Sequence, residues 1–190
     1  KAPAKLNLRL KVTGVRPDGY HELVSVMVPV SLFDVLELTT APPGVLDLTC
    51  DGYAVPADES NLVWRAVHAF SEKTGVDAGL RIRLVKNIPV AAGLGGGSSD
   101  AAAVLLCLNE VGGRPLSGQD IHRLATGLGA DVPFFLGCRP SLARGIGDVL
   151  EPLDHWPGHH YVIVTPRLQI STAWVYRRLR LKELTRDEYH

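Results

Sequence analysis

The sequence predicts an α+β layer fold, in which strands and helices occur at irregular intervals and pack around one core. Apolar residues alternate with polar ones in several short segments, as in half-buried strands, and recur at helical spacing in others. These segments do not follow the regular strand–helix order of a doubly wound sheet. With 190 residues, the chain is long enough for one domain, or for one domain and part of a second.

The N-terminal part of the chain is predicted to form strands. From Lys5 to Val12, leucines and Val12 lie on one face and polar residues on the other, which is typical of a half-buried strand. Lys5 and Asn7 should therefore project from the same face. A turn and three strands are expected next, the first two strands joined by a short connection: Pro17–Gly19, then Leu23–Val30, Val35–Leu38 and Leu46–Cys50.

Helix signals begin near residue 60. Ser60-Asn61 starts a predicted helix that ends at Gly75, and Ser117 starts one that ends at Gly127 or Gly129. Asp131 follows on a loop before an apolar segment, where an acid is commonly a helix cap. The other expected elements are a strand over Leu80–Leu84, strand-like pieces within Leu142–Leu153, a linker over Asp154–His160, a strand over Tyr161–Val164 and a helix capped by Ser171-Thr172.

The composition disfavours several classes of protein. Lys plus Arg and Asp plus Glu number 20 each, so overall charge gives no reason to expect a nucleic-acid partner. No apolar run approaches the roughly 20 residues that cross a bilayer, so no membrane partner is expected. Three cysteines without a C-x-x-C pair argue against a disulfide framework or a zinc site. We therefore expect a cytoplasmic protein, and, since the chain begins at Lys1, a few preceding residues.

The stretch Pro89–Asp100 is the strongest functional signal. Its glycines and serines lead into the apolar run Ala101–Leu108, which predicts a glycine-rich loop and a helix that stops at Gly112-Gly113. The free N–H groups and the positive dipole end at the start of a helix suit a phosphate. No Lys follows the glycines as in a Walker-type P-loop, and the spacing fits a dinucleotide fingerprint poorly. The alternative is a flexible linker with a serine N-cap.

This loop resembles the second motif of the GHMP kinases, the family of galactokinase, homoserine kinase and mevalonate kinase. Other segments resemble family motifs in the same order: Ala2–Leu8, Asp18–Leu23, Leu128–Pro133 and, more weakly, Ile170–Ala173 with Tyr176. The resemblance implies a GHMP kinase fold, with an N-terminal ATP-binding domain like domain 2 of ribosomal protein S5 over 1–153. It also implies a linker and the beginning of a second, substrate-binding α+β domain over 154–190. Nothing after Tyr176 resembles the family's third glycine-rich motif, so we expect an N-terminal portion.

The resemblance further implies an ATP-dependent kinase that uses Mg²⁺ and a small-molecule acceptor. By motif, Asp131 matches the catalytic aspartate, and Lys5 matches the lysine that contacts both this aspartate and the hydroxyl group to be phosphorylated. The full set of motifs resembles the branch whose acceptor is the 2-hydroxyl of a cytidine-diphosphate derivative of methylerythritol, in the non-mevalonate isoprenoid pathway. The residues expected to bind ATP are Pro89, Val90, Ala91, Ala92, Gly93, Leu94, Gly95, Gly96, Gly97, Ser98 and Ser99, with Asn61 and Leu62 at the adenine. Those expected to bind the cytidine-diphosphate end are Asn7, Tyr20, His21 and Tyr176.

Several questions stay open from the sequence. The Mg²⁺ ligands are unknown, with Asp100 and the loop serines as candidates, and so are the oligomeric state and the extent to which Asp131 removes the proton. Another GHMP small-molecule kinase is an alternative, as is an ATP-binding fragment without catalysis. An RNA-binding α+β module is a third, which the balanced charge opposes.

Overall fold

One mixed sheet and four helices make up the part of the chain that the computed structural model describes, residues 1–76, 79–166 and 175. The elements in chain order are β1 (Ala2–Val15), β2 (His21–Thr40), β3 (Leu46–Gly52), α1 (Leu62–Thr74), β4 (Leu80–Lys86), α2 (Gly96–Val111), α3 (Gly118–Leu128), α4 (Val132–Gly137), β5 (Ser141–Arg144) and β6 (Val149–Pro152). The expected α+β fold is confirmed. Within these residues, no helix is long and apolar enough to span a membrane.

The sheet is organised around β2, a continuous strand of 20 residues. Its order is β3-β4-β2-β5-β6, and β1 also pairs with β2. The prediction of two strands with a connection between Val30 and Val35 is wrong. The first part of β2, up to Asp34, pairs with β1, and the part from Val35 onward pairs with β4. The alternation is interrupted where the strand changes neighbours, and this interruption resembles a turn in the sequence.

A β-bulge in β1 changes which of its residues are buried. Lys5 pairs with Pro29 and Asn7 with Met27, but Arg9 pairs with Val26, so the register shifts at Leu8. Beyond a bulge the two faces of a strand exchange, and Leu8 and Leu10 are 42% and 44% exposed. The predicted burial of these leucines is therefore wrong, and Lys5, at 3%, is among the buried residues of β1.

The predictions of helices α1 and α3 from their capping residues are confirmed. The Asn61 Oδ1 atom accepts a hydrogen bond from the Val63 N–H group at 2.9 Å, and Gly75 ends α1 with φ 70°. The Ser117 side chain caps α3 in the same way. Helix α1 connects β3 to β4, which pair in parallel, as a crossover helix does.

Helix α2 contacts α1, α3 and α4 as well as β1 and β2. It begins at Gly96, earlier than the apolar run suggested, with Gly95 as its N-cap. The alternative of a serine N-cap is therefore wrong, and Ser98, Ser99 and Asp100 lie within the helix. Its predicted end, at Gly112, is confirmed. Its buried residues join the main core, whose largest fully buried side chains include Phe134, Met27, Ile82, Leu84, Leu105 and Val63.

The predicted strand over Tyr161–Val164 is wrong, since these residues have no ladder partner within the described part of the chain. Val162 and Val164 are 93% and 81% exposed. The predicted helix after Ser171-Thr172 lies outside the described residues, except for Val175.

Candidate active site

Lys5 and Asp131 form an ion pair in the wall of a large cleft. The Lys5 Nζ atom lies 3.3 Å from the Asp131 Oδ2 atom, with the lysine side chain buried and the carboxylate 37% exposed. Asp131 occupies the N-cap position of α4, but its side chain makes no capping hydrogen bond. Its carboxylate is therefore directed to Lys5 rather than to the helix, while one side stays open to the cleft.

The glycine loop packs directly against this pair. The Lys5 N–H group donates to the Leu94 carbonyl oxygen at 2.9 Å. Gly95 has φ 71°, and a Cβ atom there would come within 3.0 Å of the Lys5 Cγ atom and 2.9 Å of the Phe135 Cζ atom. Only glycine fits both this backbone angle and this close contact. The first turn of α2, whose N–H groups have no intrahelical acceptor, thus begins beside the Lys5 side chain.

The cleft has a volume of about 2210 Å³ and brings together most of the predicted site residues. This volume exceeds the roughly 300–1,000 Å³ of a typical small-molecule site. Asn7, Tyr20 and His21 line it together with the Lys5–Asp131 pair; its loop residues are Pro89 to Leu94 and Ser98. Lys5 and Asn7 do share a face of β1, as the alternation predicted.

A smaller cavity of about 320 Å³ also borders the loop and shares Pro89 to Leu94 and Ser98 with the cleft. Asn61 and Leu62 line it, with Gly95, Gly96, Gly97 and Ser98. The Asn61 amide is fixed at both ends, because it caps α1 and its Nδ2 atom donates to the Pro56 carbonyl oxygen at 2.7 Å. The loop therefore borders both the pocket at Asn61 and the cleft at Asp131.

Of the predicted site residues that the structure describes, Ser99 is brought to neither cavity. Ser99 is 1% exposed, and its Oγ atom has no hydrogen-bond partner among the described residues. Tyr176 lies outside the described residues. Both assignments stay predictions.

Ser25 is a site residue that the sequence analysis missed. Its Oγ atom donates to the Asn7 Oδ1 atom at 3.0 Å, and both residues line the cleft. This bond leaves the Asn7 NH₂ group to face the cleft as a donor. No local pattern singles out Ser25, because its neighbour Asn7 comes from another strand.

A buried charged cluster beneath the loop was also missed. The Lys86 Nζ atom donates to the Asp34 Oδ2 atom and, at 2.7 Å, to the Asp100 Oδ2 atom. All three side chains are almost fully buried. Burial raises the pKa of Asp100 to about 7, with Lys86 acting in the opposite direction. Lys86 could have been found from the sequence, because it extends the buried positions Leu80, Ile82 and Leu84 of β4.

The described residues contain no group of three or more His, Cys, Asp or Glu side chains that could hold a metal ion. Asp100, a candidate Mg²⁺ ligand, instead directs one carboxylate oxygen to Lys86.

Comparisons with known proteins point to one family. Residues 61–138 match the family described as GHMP kinases N terminal domain. A 4-diphosphocytidyl-2-C-methyl-D-erythritol kinase of Syntrophotalea carbinolica is 48% identical over 180 residues, covering 95% of this chain and 64% of its own length. The protein of the same description from Geotalea daltonii is 44% identical over 189 residues, covering 100% of this chain and 67% of its own.

Solved structures are also similar to this chain. A crystal structure of 4-(cytidine 5'-diphospho)-2C-methyl-D-erythritol kinase is 42% identical, with a TM-score of 0.76, over 94% of this chain and 63% of that one. A mevalonate diphosphate decarboxylase from Legionella pneumophila, 17% identical, shares the fold alone, with a TM-score of 0.62 over 93% of this chain and 61% of that one. The chain spans just under two thirds of the length of the first of these relatives.

Proposed function

Because this chain belongs to the GHMP kinase family, we propose that it carries the phosphoryl-transfer site of an ATP-dependent small-molecule kinase. The proposed acceptor is the 2-hydroxyl group of 4-diphosphocytidyl-2-C-methyl-D-erythritol, the substrate named in its relatives. The Lys5–Asp131 pair, next to the glycine loop and in the wall of the same cleft, is the observation that carries the proposal. The product would feed the formation of isoprenoid precursors.

Asp131 is proposed to orient the acceptor hydroxyl and to receive its proton. As the hydroxyl oxygen forms its bond to the γ-phosphorus, the bond from that phosphorus to the β–γ bridging oxygen breaks and ADP leaves. A carboxylate that is 37% exposed can reach a hydroxyl group bound in the cleft. The Lys5 ammonium group, 3.3 Å from the carboxylate, would stabilise the negative charge of the phosphoryl group during transfer.

The loop is proposed to bind the phosphates of ATP, which enters with Mg²⁺ as the MgATP substrate. The N–H groups at the start of α2 are phosphate donors, and Ser98 lines both cavities. The smaller cavity at Asn61 and Leu62 would hold the adenosine end, so that the γ-phosphate points toward Asp131. Mg²⁺ would neutralise charge on the phosphates.

The cytidine end of the acceptor is proposed to lie near Asn7, Tyr20 and His21. The Tyr20 ring is 59% exposed, so a face is open for stacking on a pyrimidine. The NH₂ group of Asn7 can donate to an acceptor oxygen of the substrate, and a His21 ring nitrogen can pair with the polar edge of cytosine. The assignment of residues 154–190 to the beginning of a second domain remains part of this proposal.

The test is ATP consumption with and without the cytidylyl substrate. Asp131→Asn keeps the shape of the side chain and removes the proton acceptor, so we expect turnover to fall by about 10²–10⁴-fold. Glu110→Gln, an exposed carboxylate-to-amide change at the far end of α2, is the matched control and should retain full activity. Equal activity of Asp131→Asn and the unaltered chain would contradict the assignment of Asp131. Faster turnover with homoserine or mevalonate would contradict the assignment of the acceptor.

A further inference from the structure

The buried cluster of Asp34, Lys86 and Asp100 connects the two ends of the glycine loop. Before the loop, the Asp34 Oδ1 atom accepts hydrogen bonds from the N–H groups of Asn87 and Ile88, at 2.6 and 2.8 Å. After the loop, Asp100 in α2 binds the Lys86 ammonium group at 2.7 Å. Lys86 also binds Asp34, so the chain that enters the loop and the chain that leaves it share one set of polar contacts.

The cluster lies directly beneath the phosphate-binding turn. A Cβ atom on Gly96, the first residue of α2, would come within 3.1 Å of the Lys86 Nζ atom. Lys86 and Asp100 also line the smaller cavity, together with the loop itself. The Lys86 ammonium group therefore lies close to the backbone that presents the first N–H groups of α2.

Folding stability alone does not require a second buried carboxylate in this cluster. Two carboxylates share one ammonium group, all three nearly out of contact with water. The Asp100 Oδ1 atom has no hydrogen-bond partner among the described residues. An apolar side chain at position 100 would avoid this unpaired oxygen and leave Lys86 paired with Asp34. A structural role alone therefore explains Asp34 and Lys86 but not Asp100.

We propose that Asp100 is a positioning residue for phosphate binding, which acts through Lys86 to hold the glycine loop and the first turn of α2 in the shape that receives the phosphates. This inference rests on the proposed ATP-binding function, and it assigns the contribution of Asp100 to its bond with Lys86, although both side chains border the cavity proposed for adenosine. Its consequence is specific: loss of the Asp100–Lys86 bond should weaken the binding of the phosphate part of a nucleotide and leave the adenosine part unaffected.

The test compares ADP and adenosine as ligands of this chain by calorimetric titration. We expect Asp100→Ala to raise the Kd for ADP about tenfold, the loss of one charged hydrogen bond, and to change the Kd for adenosine by less than about twofold. Asp100→Asn retains an oxygen that Lys86 can bind, so its Kd for ADP should stay within about threefold of the original value. If Asp100→Ala does not fold, Asp100→Leu, which fills the space with apolar atoms, takes its place.

Two control variants separate positioning from general destabilisation. Leu105→Ala removes a fully buried side chain from the same helix, away from the loop, and should lower the unfolding temperature without changing the Kd for ADP. Glu110→Gln should change neither the unfolding temperature nor the Kd for ADP. The inference is overturned if Asp100→Ala binds ADP as the unaltered chain does, or if Leu105→Ala weakens ADP binding as strongly as Asp100→Ala. If the unaltered chain binds neither ADP nor adenosine, the proposed function fails first and this inference falls with it.

Discussion

Replacing Asp100 by asparagine should change how the stability of this protein depends on pH. Burial raises the pKa of the Asp100 carboxyl group from its ordinary value of 3.8 to about 7. Between these values the folded protein keeps a proton that the unfolded chain has released. Raising the pH through this range therefore favours unfolding, and lowering it stabilises the fold.

The size of the effect follows from the pKa. One such proton changes the free energy of unfolding by about 1.4 kcal/mol per pH unit. Between pH 5 and pH 7, Asp100 should thus lower the stability of the unaltered chain by about 2–3 kcal/mol, with little further change above about pH 8. Asparagine has no proton to release, so the stability of Asp100→Asn relative to the unaltered chain should increase by this amount.

Urea unfolding followed by circular dichroism, from about pH 5 to pH 8, measures this difference. All other ionisable groups are the same in the two proteins, so their contributions cancel in the difference. Hydrogen bonds from Ser60 and Ser117 lower the pKa values of Asp58 and Asp120, so these carboxyl groups titrate below the range used. A difference that stays constant within about 0.5 kcal/mol, or that changes in the opposite direction, would refute the assignment of a buried, proton-binding Asp100.

Three further predictions follow from single contacts. Gly95→Ala should destabilise the fold by about 2 kcal/mol or more, because position 95 has a left-handed backbone and a new Cβ atom would press against Phe135. Gly127→Ala, inside α3 with open space around it, should instead stabilise the fold by up to about 1 kcal/mol. Urea unfolding of both variants compares the two effects. Lys5→Met should lower kcat about 10²-fold or more in the ATP-consumption assay, with little change in the unfolding temperature of the protein; a kcat within threefold of the original would contradict the role of Lys5. Ser117→Ala should cost about 1 kcal/mol in urea unfolding, and Ser117→Asp, which retains a capping oxygen, should restore most of it.

The parts of the fold that sequence predicts well are those set by local chemistry. Helix α1 begins where the Asn61 side chain can cap it and ends where Gly75 takes a left-handed conformation. The division of β2 could not be predicted, because the interruption before Val35 reflects a change of neighbouring strand. That change depends on β1 and β4, which are distant in the sequence.

The candidate site likewise has features that the sequence indicates and contacts that only the folded chain creates. The glycine loop follows from composition, and the pairing of Lys5 with Asp131 followed from a resemblance to family motifs rather than from spacing. The bulge at Leu8, which decides which residues of β1 are buried, has no marker in the sequence. The contacts of Ser25 with Asn7 and of Asp34 with Lys86 each join two strands, so only the folded sheet brings them together.

Lys5 and Asp131, the two residues of the ion pair, are synthesised at different times. At about 5–20 residues per second, a ribosome adds Asp131 roughly 6 to 25 s after Lys5. The whole glycine loop is made in between. A nascent chain that stops before Asp131 would thus contain every residue proposed to bind ATP and lack the residue proposed to accept the proton. We expect such unfinished copies to be unable to consume ATP, so that synthesis of the protein wastes none of it before the site is complete.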